Sequence, residues 1–193
     1  MSLVSPPPVA LSQVGRAAHD VGLAGLLGGN LYGRLALHPS VTAISDPLER
    51  GKVVNAAWRR YGVVNALSLA AVTVGWLGAR ADEAANRHLG ERERRLATAR
   101  DVLLGAVAAT GLASAAEGVR FSRLAPDGAV PLLDGDHPAP GATDAQRRAK
   151  RRLNVLGIAT LVAETALVGV NAAFAQESFR RPPARRLLSR RLR

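Results

Sequence analysis

Three observations predict an all-α fold, and more narrowly an integral membrane four-helix bundle. First, charge is absent from Val21 to Gly33, Tyr61 to Ala79 and Val102 to Ala116, and Leu153 to Gln176 carries only Glu164. A helix needs about 20 mainly apolar residues to cross a hydrocarbon core. The second and fourth stretches reach that length, and the third does so if its ends enter the interface. Second, these stretches lack the polar stripe of a soluble amphipathic helix. Tyr61 to Ala79 offers only Asn65, Ser68 and Thr73 as small polar side chains. Third, helix-start signals stand ahead of the apolar stretches.

Those signals define the elements in order. Met1 to Gly15 holds no basic residue and carries Pro6-Pro7-Pro8, so it fits no secretory signal. Residues 1–13 are expected to be a mobile lead-in to a membrane domain over 14–178. The first helix has the shortest apolar stretch, with His19 and Asp20 before it and Arg34 after it. It spans only if Arg34 snorkels and the His19–Asp20 end is wet or paired. A three-span arrangement would leave this helix on the membrane surface.

Asp46-Pro47-Leu48-Glu49 places an N-cap, an N1 proline and an N3 carboxylate in sequence, so the second helix starts there. Asp82 to Arg100 is dense in both charges and reads as a solvated helical extension, with Gly90 as a break. Ala125 to Gly141 is a long loop with turn formers at Pro126-Asp127-Gly128 and Asp134-Gly135-Asp136. Thr143-Asp144-Ala145-Gln146 has capping-box spacing ahead of the fourth helix. The tail over 179–193 contains seven Arg.

Composition narrows the chemistry. The 193 residues make about one domain. The absence of Cys excludes a disulfide scaffold, a thiolate metal site and a Cys nucleophile. The 26 basic residues, all but two of them Arg, give a net charge of +11. A basic tail near a bilayer attracts anionic lipid. Nothing in the sequence supports nucleic-acid binding, since no aromatic interleaving or known binding motif accompanies the charge. In a four-span arrangement, the face with both termini carries 14 basic residues and the other face 12. The positive-inside rule then places both termini in the cytoplasm, in a plasma-membrane protein, by a narrow margin.

Several short motifs resemble those of an uncharacterised family of small actinobacterial four-helix membrane proteins. They are His19-Asp20-Val21-Gly22-Leu23, Gly28-Gly29-Asn30-Leu31-Tyr32-Gly33, Asp46-Pro47-Leu48-Glu49-Arg50, Val54-Asn55-Ala56-Ala57-Trp58, Val64-Asn65, Arg147-Arg148 to Leu156, and Val170-Asn171-Ala172. The resemblance implies a four-helix membrane fold and no particular activity.

Few residues can carry chemistry. Glu164 lies midway along the fourth apolar stretch, where a carboxylate is costly and tends to face a bundle interior. Gly157, Glu164 and Asn171 are seven apart, with Thr160 beside them, so they share a helix face. The stripe reads either as a proton or cation relay or as a hydrogen-bonded packing element. His19, Asn30 and Arg34 also lie near one face. His19 with Asp20 could accept a proton, or His19 could ligate a haem or serve a quinone. Adjacent helical residues diverge by about 100°, which weakens the His19–Asp20 pair. Asn65 and Asn171 are expected to bridge helices.

Trp58 and Trp76 are expected at the two interfaces, about 27 Å apart along one helix. Gly22, Gly29 and Gly33, and separately Ala97, Asp101, Gly105 and Ala109, form small-residue faces for close packing. Arg34 and Glu117 are expected to form a structural ion pair at one end. Asp20 and Asp101 are expected to meet at the other, near Arg16 and Arg100. No cofactor and no metal site is indicated, and the P-loop, GxSxG and HExxH patterns are absent. The leading expectation is a non-enzymatic packing or partner module. A small proton-linked transporter centred on Glu164, acting as an oligomer, and a redox enzyme using His19 are the alternatives.

Overall fold

The computed structural model describes residues 8–84 and 90–179. Four long helices account for most of them: α1 (Pro8–Tyr32), α2 (Pro47–Ala84), α3 (Glu91–Ser122) and α4 (Asp144–Phe179). No β-strand occurs among the described residues; an isolated bridge joins Leu132 and Pro138. Three of the helices, over Pro47–Gly78, Glu91–Ser122 and Asp144–Glu177, are long and apolar enough to cross a membrane.

The expected start signals cap α2 and α4, and Gly90, expected as a break, caps α3. Asp46 Oδ1 accepts the Leu48 N–H at 2.9 Å, and Glu93 Oε2 accepts the Gly90 N–H at 2.9 Å. Thr143 and Gln146 bond reciprocally, at 2.8 and 3.3 Å, which is a capping box. Helix α1 begins earlier than the lead-in over 1–13 implied. Pro8 is its first residue, where a missing N–H costs nothing and φ is already helical.

Beyond Tyr32 the first helix continues through a π-turn, Gly33–Leu37, then a short α-turn, His38–Ser40, and a 3-10 turn, Val41–Ala43. Pro39 explains the change of pitch. It has no N–H for the Leu35 carbonyl, and its ring crowds that carbonyl. The His38 N–H reaches back five residues to Gly33 O instead.

Helix α1 packs antiparallel against α2, and α3 against α4, while α1 also touches α4. The α1–α2 contact uses the small residues that the sequence singled out. A Cβ at Gly22 would come within 2.6 Å of the Ser68 carbonyl oxygen, and one at Gly29 or Gly33 would overlap the Tyr61 or Trp58 ring. The GxxxG face therefore serves internal packing. The expected α3 face does not behave the same way: nothing lies within 4 Å of a Cβ at Gly105.

Two apolar clusters lie along the axis. Leu23, Leu26, Val72, Leu104, Val107, Ala163 and Leu167 fill the middle. Val41, Val54, Phe121, Val130, Leu132 and Ala149 fill the end beneath the α3–α4 loop. That loop folds back over α1 and α2 and is pinned by Leu132 N–H to Pro47 O at 3.0 Å and Gly135 N–H to His38 O at 3.0 Å. Arg50 fastens it further by donating to Leu133 O at 2.6 Å. Asp127, at φ 55°, and Gly128, at φ 69°, turn the chain into it.

Outside these clusters the apolar surface is bare. In the most apolar window of α2, α3 and α4, only 17%, 17% and 22% of residues are buried. Val63, Leu67 and Val74 on α2, Val102 and Leu112 on α3, and Val155, Ile158 and Val162 on α4 are exposed.

Candidate functional site

Polar side chains form a ladder along the α1–α4 contact. At its centre Glu164 is 0% exposed. Asn30 Nδ2 lies 2.9 Å from each of its carboxyl oxygens. One amide thus serves both oxygens. Toward the chain ends, His19 fills the next rung. Its Nδ1 is 2.8 Å from Val72 O, and its Nε2 is 3.1 Å from Asn171 Nδ2. A carbonyl only accepts, so Nδ1 carries a proton and donates. The Asn171 amide, as oriented, then donates to Nε2.

Toward the loop, Arg34 lies over Gly157, donates to Asn154 O at 3.0 Å and stands 3.8 Å from Asp136. Four residues on, His38 is sandwiched. Trp58 Nε1 donates to His38 Nε2 at 3.0 Å, and His38 Nδ1 is 3.0 Å from Asp136 Oδ1. An indole N–H can only donate, so Nε2 is unprotonated and Nδ1 holds the proton that faces Asp136. Asn154 secures the same loop residue by donating to Asp136 O at 2.8 Å. His19, Asn30, Arg34 and His38 follow α1 at intervals of eleven, four and four residues. They keep one face toward α4 and the loop. From His19 to His38 the ladder spans about 28 Å of helix, close to the thickness of a hydrocarbon core.

The predicted site residues fare differently. Glu164, Asn171, His19, Asn30 and Arg34 all join the ladder, and the stripe on α4 faces inward as its spacing implied. Thr160 is buried beside them and returns its hydroxyl to Leu156 O at 2.9 Å, within its own helix. Asp20 is exposed and points away from His19, as the divergence of adjacent helical residues requires. Asn171 bridges α4 to α1 through His19, whereas the Oδ1 of Asn65 is buried without a hydrogen-bond partner.

The expected Arg34–Glu117 ion pair does not form. The folded-back loop brings Asp136 to Arg34, and Glu117 faces Arg120 at 3.5 Å and Arg152 at 3.9 Å. Asp101 takes Arg80 at 2.9 Å and the Trp76 indole at 2.8 Å. Both tryptophan N–H groups, expected at interfaces, are therefore satisfied within the fold.

His19 has both ring nitrogens engaged, so a haem-ligating role would require displacing Asn171 or breaking the bond to Val72. Among the described residues no group of three or more His, Cys, Asp or Glu could hold a metal ion. His38, Trp58 and Asp136 were not singled out from the sequence as a unit. The Asp-Gly-Asp turn and Pro39 mark their neighbourhood, but no local spacing links residues 38, 58 and 136.

Electrostatics make the loop contact acid-sensitive. The His38 Nδ1–H, 3.0 Å away, holds the Asp136 carboxyl below its ordinary value of 3.8; burial opposes this, and the charges of Lys150 and Arg34 assist. A carboxyl lowered in the folded state contributes stability that is complete above its unfolded value and is lost as pH falls through the folded one. Exchange of the Leu132 and Gly135 amide hydrogens, taken relative to the intrinsic rate of an unprotected amide at each pH, should thus be flat from neutral pH down to about 4 and then accelerate. In Asp136→Asn this acid-dependent part should vanish. An acceleration of equal size in that variant would remove Asp136 as its origin.

The fold and ladder together define a class: an all-helical protein with three helices able to cross a membrane and its polar residues turned inward. Comparison with known proteins gives no match to any family model, curated protein or solved structure.

Proposed function

We propose that this chain is a four-span integral membrane protein of the plasma membrane, serving as a non-enzymatic packing or partner module. The observation that carries the reading is the inversion of polarity: Glu164 is fully buried and hydrogen-bonded while Val162, Ile158 and Val155 on the same helix are exposed. Water disfavours such an arrangement and hydrocarbon favours it. The antiparallel pairing of α1 with α2 supports α1 as the fourth span. His19 and Asn30 lower its hydropathy, yet both are bonded internally. Both termini then lie on one side, proposed as cytoplasmic, where the Arg-rich segment over 179–193 meets anionic lipid. Membership in the actinobacterial family is proposed on the sequence motifs alone.

One feature favours the proton-linked transporter as a second reading. Glu164 is the sole ionisable group in its apolar stretch, and separate polar rungs, His19 with Asn171 and Arg34 with Asn154, lie on either side of it. Proteoliposomes containing the full chain and a pH-sensitive dye separate the two. The packing role predicts no proton uptake above protein-free vesicles, with or without Glu164→Gln. Uptake that Glu164→Gln abolishes, in a variant that still folds, would replace the packing role with transport.

A further inference from the structure

The outer face of the α3–α4 pair holds a cleft that the ladder does not use. It has a volume of about 360 Å³ and lies between the end of α3 and the start of α4. Arg120, Arg123, Arg148 and Arg152 line it, with Glu117 at its inner wall and Leu124 at its edge. Glu117 is buried, and its two oxygens divide between Arg120 and Arg152. Those two guanidinium groups are thereby positioned and partly neutralised. Arg123 and Arg148 show no carboxylate partner within ion-pair range among the described residues. The cleft retains a surplus of positive charge, and the forked donors of guanidinium groups suit phosphate oxygens.

Its height along the bundle identifies the source of the phosphate. The uncharged stretch of α3 ends at Ala116 and that of α4 begins at Leu153. The cleft lies immediately beyond both, at headgroup depth, with exposed Val155 and Leu112 on the apolar side. A lipid with its chains against those residues would carry its phosphate to the arginines.

We infer that this cleft binds the phosphate of an anionic phospholipid in the leaflet opposite the C-terminal tail. The inference rests on the membrane reading above. Arg123 and Arg148 supply the charge, and Glu117 presets the flanking arginines.

The test uses the full chain purified in neutral detergent, with phosphatidylglycerol, phosphatidylcholine or inorganic phosphate added, and bound species counted by native mass spectrometry. Phosphatidylglycerol should be retained over phosphatidylcholine. Arg123→Gln with Arg148→Gln should weaken that retention about 30-fold, the combined effect expected of two basic residues at a lipid surface. Arg59→Gln with Arg60→Gln, two exposed arginines at the same end of the bundle, should leave it unchanged. Equal losses in both double variants would overturn the site in favour of diffuse surface charge. Binding of inorganic phosphate without lipid retention would overturn the lipid source. A chain that stays dispersed without detergent would refute the membrane reading itself, an outcome separate from failure of the cleft.

Discussion

Asn30→Leu is expected to destabilise the folded chain by about 2–3 kcal/mol, although Asn30 is only one residue of 193. Its amide is the donor to both oxygens of Glu164, which is fully enclosed. Removing it leaves a buried carboxyl group without a donor, and a buried polar group pays the full cost of desolvation when its partner is lost. Removing both members should cost much less, because two apolar side chains then meet. Asn30→Leu with Glu164→Leu is therefore expected to recover more than half of the loss. Reversible unfolding in mixed micelles measures all three variants. Additive losses would mean that the two residues are not coupled, contrary to the geometry.

The second large effect comes from Gly51. A Cβ there would overlap the carbonyl oxygen of Val130, which is backbone and cannot rotate away. Val130 is 0% exposed, and the next bonded residue, Leu132, ties the loop to Pro47. Neither side can yield without detaching the loop from α2. Gly51→Ala should cost about 3 kcal/mol, at the upper end of overpacking effects, and should expose the loop to protease. Gly62→Ala is the control, since nothing lies within 4 Å of a Cβ at that position. It should be neutral or slightly stabilising, because Ala is the better helix former. Equal proteolysis of the two variants would contradict the docking of the loop.

Local features were legible in the sequence, and long-range register was not. The caps at Asp46 and Thr143 announce helix starts because their chemistry spans three or four residues. The inward face of Glu164 and Asn171 follows from heptad spacing on one helix. Asn30 and Glu164 are 134 residues apart, and only the pairing of helices sets them at one height. The Arg34–Glu117 expectation failed for the same reason. The two residues do share an end of the bundle, but the returning loop inserts Asp136 first. Hydropathy counts His19 and Asn30 against α1 as a span without registering that both point inward. The helix start at Pro8 lies inside the expected lead-in, because proline is compatible with the first position of a helix.

The central claim is that hydrocarbon contacts the outside of this bundle while its polar groups face inward. The chain has no Cys, so single cysteines can be placed freely and spin-labelled. Leu67→Cys and Val162→Cys, both on exposed apolar faces, should be labelled after reconstitution into lipid and probed with oxygen and a water-soluble nickel chelate. Oxygen concentrates in hydrocarbon and the chelate is excluded from it. The account predicts high oxygen accessibility and almost no chelate accessibility at both positions. Chelate accessibility at both equal to that of a label at exposed Asp144, just outside the apolar stretch of α4, would show that these faces meet water and would contradict the account.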